Sequence, residues 1–408
     1  MKCGLLGRKL GHSYSPQIHA MLGDYSYELF EKEPEELEDF LKNGDFHGIN
    51  VTYPYKKAVI PYLDELTPIA QKLGAVNTIV RRDGKLIGHN TDYFGFQRLL
   101  DSLHNRMDGS KVLVLGSGGA SNTAVAVLKD RGCQVTVISR SGENNYDNLH
   151  LHKDALFIVN TTPVGMYPNT GISPLNLSQF PQILGVVDVI YNPARTKLLL
   201  DAEKEDGVET ANGLLMLVAQ AKEAAEWFTG TTIPDSVIEP ILDQLEAQMQ
   251  NFVLIGMPGC GKSTVGKLLA EKTGRKFADS DEMIVKLAGK SIPEIFAQDG
   301  EAVFRDWETR ALAELGKQSG LVIATGGGCV TKARNYDLLH QNGEIFWIQR
   351  ALTNLETDGR PLSQQGNLAE MFRIRHPLYL KFSDCSIGND KTPEDAVSQI
   401  LCYWNLEV

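Results

Sequence analysis

Cysteine is sparse in this chain and never clustered. The six that 408 residues contain, Cys3, Cys133, Cys260, Cys329, Cys385 and Cys402, show none of the close spacings of zinc sites or redox motifs, so reduced thiols are expected. Positive charge is also short: 40 Lys and Arg face 51 Asp and Glu, for a net charge of -11. Such a chain offers no basic field to a nucleic acid or an anionic membrane, and neither is expected as a partner. Anionic ligands must be met by local cations. No apolar run approaches the roughly 18 residues of a membrane helix, and the opening MKCGLLGRKLGHSYSP turns polar too early for a secretory signal. A cytoplasmic protein is expected. A hydrophobic content of 42% with 22% charged residues leaves no segment biased toward disorder or a fibre.

What is present exceeds one ordinary domain, since about 150 residues per domain predicts two or three. Short apolar runs alternate with amphipathic stretches, the rhythm of an α/β protein. In the first hundred residues CGLLG, YSYELF, GIN and VNTIVRR read as strands, and RRDGKLIG carries an Asp-Gly hairpin turn. KVLVLG, QVTVIS, ALFIVN and GVVDVIY then read as buried strands of a parallel sheet. GLLMLVAQAKEAAEWF and DSVIEPILDQLEAQM have helical spacing. NFVLIG restarts the pattern, which puts a boundary near residue 248.

Behind NFVLI, Gly256-Met-Pro-Gly-Cys-Gly-Lys262-Ser263 fits GxxxxGK[ST], and the helix STVGKLLAEKTG follows. A chance match in a chain of this length has a probability on the order of one per cent from average residue usage. The bland reading is a glycine turn before a helix. In the functional one Gly259, Gly261 and Thr264 belong to a loop whose N-H groups cradle the phosphates of ATP at a helix N-terminus. Lys262 neutralises the β and γ phosphates, and Ser263 offers an oxygen to Mg2+.

The segments after it, Asp279-Ser-Asp281, Phe304-Arg305-Asp-Trp-Glu308, Gly326-Gly327-Gly328, Arg360-Pro-Leu and Arg375-His-Pro-Leu-Tyr379, make residues from about 250 to 408 resemble shikimate kinase. The resemblance implies that Asp281 binds the hydroxyls of shikimate; as a carboxylate there it is also our candidate to take the proton of the attacking one. Asp279 then lies near Mg2+, Arg305 and Arg375 hold the carboxylate, and the three glycines let the backbone pack against the ring. Arg360 sits on a lid, although NLETDGRPL is shorter than the family's lid and lacks its adenine-stacking arginine.

In the middle of the chain Gly116-Ser-Gly118-Gly119-Ala120 links the strand KVLVL to a helix, a dinucleotide cradle or a structural turn. The next strand ends in Ser139-Arg140-Ser141. No acidic residue stands there to read a ribose 2'-hydroxyl, and an arginine suits a 2'-phosphate, so NADP is favoured over NAD. Gly11-His-Ser13-Tyr-Ser15-Pro, Asn50-Val-Thr52-Tyr-Pro-Tyr-Lys56, Gly74-Ala-Val-Asn77, Asn90-Thr-Asp92 and Asn212-Gly213-Leu-Leu-Met216-Leu-Val-Ala-Gln220 make residues 1 to about 246 resemble shikimate dehydrogenase. The resemblance implies a catalytic pair, Lys56 and Asp92, and a substrate pocket of Ser13, Ser15, Thr52, Asn77, Tyr191 and Gln220. Thr161, Gly213 and Met216 then lie along the cofactor. Taken alone, Lys56 reads as a surface charge and Asp92 as a helix N-cap.

Together these readings imply a catalytic domain of 1–103 with 213–246, a Rossmann-like NADP domain of 104–212 and a P-loop kinase domain of 250–408. The implied activities are consecutive, since the first makes the shikimate that the second consumes. Quinate as the first substrate, or one half kept as a non-catalytic binding module, are the alternatives. His12, His19 and His376 receive no chemistry, and nothing in the sequence sets an oligomeric state.

Overall fold

The apolar runs of the first hundred residues pair as β1 (Lys2–Gly7), β2 (Ser26–Glu31), β3 (Gly48–Val51), β4 (Glu65–Leu66), β5 (Thr78–Arg82) and β6 (Lys85–His89), in a computed structural model that describes residues 1–11, 13–355 and 368–404. The six strands lie in the order β2-β1-β3-β5-β6-β4. β1 runs parallel to β2 and β3, whereas β5 is antiparallel to β3 and β6. Asp83 and Gly84 take φ of 50° and 77°, the left-handed pair that a two-residue hairpin turn requires. Arg82 and Lys85 face each other across it. Leu6, Ile49, Val51 and Ile79 bury one face of this sheet against Leu37 and Leu41 of the helix Leu37–Asn43.

A second sheet follows, of β7 (Lys111–Leu115), β8 (Gln134–Ile138), β9 (Phe157–Asn160), β10 (Gly185–Asp188) and β11 (Glu209–Ala211), in the order β11-β10-β9-β7-β8 and parallel throughout. β9 and β10 are buried at every position, as expected of strands covered on both faces. Phe96, Leu99 and Leu100 from the helix Asp92–Asp101 and Ala124, Val127 and Leu128 from the helix Gly119–Asp130 join Val112 and Val114 in its core.

The third sheet, β12 (Asn251–Ile255), β13 (Lys276–Asp279), β14 (Leu321–Ala324), β15 (Gly343–Gln349) and β16 (Cys385–Gly388), has the order β13-β14-β12-β15-β16, again all parallel. β12 is therefore central, and the chain leaves it between β14 and β15, the kind of position where open α/β sheets bind ligands. A single residue, Gln250, separates β12 from the helix Ile238–Met249.

By internal contact the chain forms two units, Met1–Val164 with Ser173–Tyr191 and Asp201–Leu245, and Gly165–Ile172 with Asn192–Leu200 and Glu246–Val408. Within the second unit, a strap at residues 192–200 is tied to the turn before β15. The Ala194 N-H donates to Asn342 Oδ1 at 2.8 Å, Arg195 N-H to Gln341 O at 2.8 Å, and the Arg195 guanidinium to His340 O at 3.2 Å. Among the described residues no helix is long and apolar enough to cross a membrane.

Candidate active sites

In the first unit, β1 and β3 are parallel neighbours, so the residues that follow them emerge at one edge of the sheet. Ser13 and Ser15 follow β1; Thr52 and Lys56 follow β3. The Thr52 N-H donates to Leu6 O at 2.9 Å, and Val76 N-H to Lys56 O at 2.7 Å, which fixes the lysine beside residues 76 and 77. Asp92 opens the helix Asp92–Asp101, where the N-terminal dipole favours a carboxylate. Lys56 Nζ donates to Asp92 Oδ2 at 2.5 Å, and Asn77 Nδ2 donates to Oδ1 of the same carboxylate at 3.0 Å. With 35% and 17% of their side chains exposed, Lys56 and Asp92 remain within reach of a ligand.

Gln220 joins this group because of a glycine. A Cβ at Gly95 would stand 2.6 Å from Met216 O and 2.9 Å from Gln220 Cβ, so only glycine lets the helix Leu214–Thr229 approach the helix that carries Asp92. Gln220 Oε1 then lies 3.5 Å from Asn77 Nδ2 and 3.3 Å from Thr91 Oγ1. Tyr191 places its ring edge-on to Tyr14 at 6.3 Å, and burial, with Tyr14 adding, raises its phenol pKa.

Asn50, which has no role from sequence beyond its place in a motif, is 6% exposed. It accepts from Tyr27 OH at 2.8 Å and donates to Thr78 Oγ1 at 3.2 Å. A polar residue inside the apolar run GIN-V was the available signal. His19 stacks on Tyr27 at 4.1 Å, and burial pushes its imidazole down to about 3 against an Asn50 hydrogen bond that favours the proton. His12 lies outside the described residues.

The nucleotide loop of the first unit departs from β7. Gly116 has φ 106°, and a Cβ there would approach Thr161 Oγ1 to 2.9 Å, the hydroxyl that donates to Leu115 O at 2.6 Å. At Gly118 and Gly119 a Cβ would meet nothing within 4 Å, so this helix N-terminus faces open space, as an anion cradle must. A cavity of about 680 Å³ is lined by Gly116, Gly118, Ser139, Arg140 and Thr161 together with Tyr146, which the motifs did not point to. Gly119, Ala120, Ser141, Gly213 and Met216 are not part of its lining. Gly213 instead passes so close to β10's exit that a Cβ would lie 2.0 Å from Val189 O, and Met216 packs on the core of the second sheet.

In the second unit, every residue expected at a site except Arg360 lines one cavity of about 540 Å³; Arg360 lies outside the described residues. Gly261 takes φ 95°, and a Cβ on it would stand 2.5 Å from Asn389 Nδ2. That same amide donates to Cys260 O at 2.7 Å and pins the loop. Lys262, 8% exposed, donates to Gly256 O and Met257 O at 2.9 Å each, which holds its charge inside the glycine loop. Ser263 Oγ donates to Asp279 Oδ2 at 2.9 Å. Asp279 Oδ1 accepts from the Asp281 N-H at 2.9 Å and so caps the helix Ser280–Ala288, aiming Asp281 into the cavity.

Arg305 is bound by two carboxylates. Its Nη1 donates to both Glu308 oxygens at 3.0 and 2.9 Å, and Nη2 donates to Glu301 at 3.1 Å. Burial works against its charge, but Glu308 and Glu301 outweigh it and raise its pKa. Burial also raises Glu308 against the pull of Arg305, with Asp281 adding to the rise. Arg375 donates to Gly327 O at 3.2 Å, an oxygen that also accepts from Tyr379 OH at 2.5 Å. Each of the three glycines has a reason within the protein. A Cβ would come 2.8 Å from Glu308 Oε1 at 326, 2.6 Å from Pro258 Cδ at 327, and 2.2 Å from Arg305 Nη1 at 328. Glu308, fully buried, is the site residue that motif reading passed over, although it stands in the segment Phe304–Glu308.

Comparison with known proteins finds two families in the chain. Residues 258–404 match the family model for shikimate kinase, and residues 5–79 that for the shikimate dehydrogenase substrate binding domain. A shikimate dehydrogenase (NADP(+)) of Clostridium perfringens is 36% identical over 267 residues, covering 60% of this chain and 98% of the relative. Shikimate dehydrogenase 1 from Peptoclostridium difficile has a solved structure that is 37% identical, with a TM-score of 0.55 over 60% of this chain and 97% of that one. A chorismate mutase/shikimate 5-dehydrogenase fusion protein from Clostridium acetobutylicum is 36% identical, with a TM-score of 0.57 over the same shares. The chain belongs to the shikimate dehydrogenase family, whose Clostridium perfringens relative covers 60% of it, and carries a shikimate kinase domain at residues 258–404.

Proposed function

We propose that the first unit reduces 3-dehydroshikimate to shikimate with NADPH and that the second phosphorylates the 3-hydroxyl of shikimate with ATP. The observation that carries the reading is the 2.5 Å contact of Lys56 with Asp92, supported from the other side by Asn77. Reducing a ring ketone leaves an alkoxide, and Lys56 places a proton donor where that oxygen forms. Asp92 keeps the ammonium aimed, while Ser13, Ser15, Thr52, Asn77, Tyr191 and Gln220 hold the carboxylate and hydroxyls. The bound nicotinamide supplies the hydride. Arg140 meets the 2'-phosphate, and the open loop at Gly118 receives the pyrophosphate. We assign substrate binding to 1–103 with 213–246, NADP binding to 104–212 and the kinase to 250–408.

In the kinase, Asp281 accepts the proton of the attacking hydroxyl, and Arg305 and Arg375 hold the carboxylate as paired guanidinium forks. Lys262 exchanges the carbonyls of Gly256 and Met257 for phosphate oxygens. Among the described residues no three His, Cys, Asp or Glu gather to hold a metal. Ser263 and Asp279, with oxygens 2.9 Å apart, still suit Mg2+, a hard ion that uses few protein ligands and completes its shell from phosphate and water. When bound, the ion neutralises charge on the transferring phosphoryl group.

The test uses the full-length chain. NADPH oxidation that depends on 3-dehydroshikimate is expected to vanish in Lys56→Ala while ADP release with shikimate stays at the wild-type rate, and Asp281→Asn should do the reverse. Quinate turned over in preference to shikimate would overturn the substrate assignment, as would full activity in either variant for its residue.

A further inference from the structure

We infer that Tyr146 is a specificity-determining residue of the dehydrogenase and forms with Arg140 the receptor for the phosphorylated adenosine end of NADP(H). The inference rests on the reading of the first unit as an NADP-linked dehydrogenase. Among the residues lining the 680 Å³ cavity, Arg140 is the only cation, in a chain of net charge -11. A 2'-phosphate carries up to two negative charges and three acceptor oxygens, so one guanidinium leaves acceptors for neutral donors to satisfy. Ser139, next to Arg140 in the chain, and Tyr146, whose phenol feels the Arg140 charge, both line that cavity and carry hydroxyl donors.

The loop holding the tyrosine is built before any ligand arrives. Ser139 N-H donates to Asn144 O at 3.1 Å, Asn145 N-H to Asn148 Oδ1 at 2.8 Å, Asp147 N-H to Asn145 Oδ1 at 2.9 Å and Asn148 Nδ2 to Glu143 O at 2.8 Å. These bonds close successive turns around residue 146, so the backbone that carries the tyrosine is held and less ordering entropy remains for the ligand to overcome. Burial raises the phenol pKa and the Arg140 charge opposes that rise. The group is thus a protonated donor at neutral pH, in the field of the guanidinium.

The experiment compares wild type, Tyr146→Phe and Tyr146→Ala as full-length chains, with NADP+ and NAD+ binding by calorimetry beside steady-state kinetics with NADPH and NADH. Loss of one hydrogen bond to a charged group predicts about ten-fold weaker NADP+ binding and a matching rise in KM for NADPH in Tyr146→Phe. The NAD+ affinity, the kcat and the KM for 3-dehydroshikimate stay at wild-type values. ADP release by the kinase in the same chain controls for folding. Equal weakening of both dinucleotides would make Tyr146 a mere wall and overturn the inference, as would no change in either variant; both results leave the dehydrogenase reading standing. A wild-type chain that bound neither dinucleotide would remove that reading, and the inference with it.

Discussion

His19 lies 1% exposed between Tyr27 and Phe228, with burial pushing its pKa from 6.5 to about 3. The unfolded chain therefore takes up a proton on this residue as pH falls through 6.5, and the folded chain does not until about 3. In that window the unfolded state holds more protons, so stability falls with falling pH by up to about 1.4 kcal/mol per unit from this group. His19→Phe keeps a ring in the stack and removes the titration. Urea unfolding of the first unit should then lose stability less steeply between about pH 6 and pH 4 than wild type, and an unchanged slope would reject the assignment. Cys329 is the thiol counterpart. Burial, with Glu308 adding, pushes it up to about 12, so at neutral pH it is a thiol and not a nucleophile. Alkylation of the native chain followed by mass spectrometry should label the exposed Cys402 and spare Cys329 until the protein unfolds. At this scale local motifs named Lys56, Asp92, Lys262 and Asp281, and the structure brings the first two into contact and lines one cavity with the other two. The sequence assigned nothing to Glu308, which is fully buried against Arg305, or to Tyr146, which reaches the cofactor cavity only through the folding of its loop.

At the scale of elements, the contact between the helices Asp92–Asp101 and Leu214–Thr229 depends on the missing side chain of Gly95. Gly95→Ala sets a methyl 2.6 Å from Met216 O, and the helices must separate by several tenths of an ångström or more. Gln220 then withdraws from Asn77 and the Lys56–Asp92 pair. A misplacement approaching 1 Å costs about 100-fold in rate, so dehydrogenase kcat/KM should fall toward that extent while kinase turnover is kept. Wild-type kinetics would show that the helix pair adapts. Apolar runs foretold β1, β2, β3, β5, β7, β8, β9, β10 and β12, and the Asp-Gly turn foretold the β5–β6 hairpin. β4, β11, β13 and β16 were not legible. All four are edge strands, and Glu-Leu, Glu-Thr-Ala, Lys-Phe-Ala-Asp and Cys-Ser-Ile-Gly carry no hydrophobic period of their own; a neighbour supplies their pairing. β15 was not read either, although its run Ile-Phe-Trp-Ile is apolar.

For the whole molecule, the boundary near residue 248 read from the restart at NFVLIG marks where a motif begins, which is not where the second unit takes all its parts. Residues 165–172 and 192–200 also belong to that unit, and no local pattern in a loop announces a partner so far along the chain. Asn342, 1% exposed, shows the dependence. It accepts from Ala194 N-H and donates to Gly316 O at 3.2 Å. Asn342→Ala leaves buried partners unsatisfied, at about 1–3 kcal/mol each. Hydrogen exchange in the full-length chain should speed up at residues 194 and 195 and lower the stability of the second unit; protection equal to wild type would mean the strap holds without this amide. The bond from Ala194 joins residues 148 positions apart. On a ribosome adding about 5–20 residues per second, the strap emerges roughly 7–30 seconds before the asparagine that will hold it has been made. Slowing translation after residue 200 would lengthen that wait, and the nascent strap would spend it without its partner.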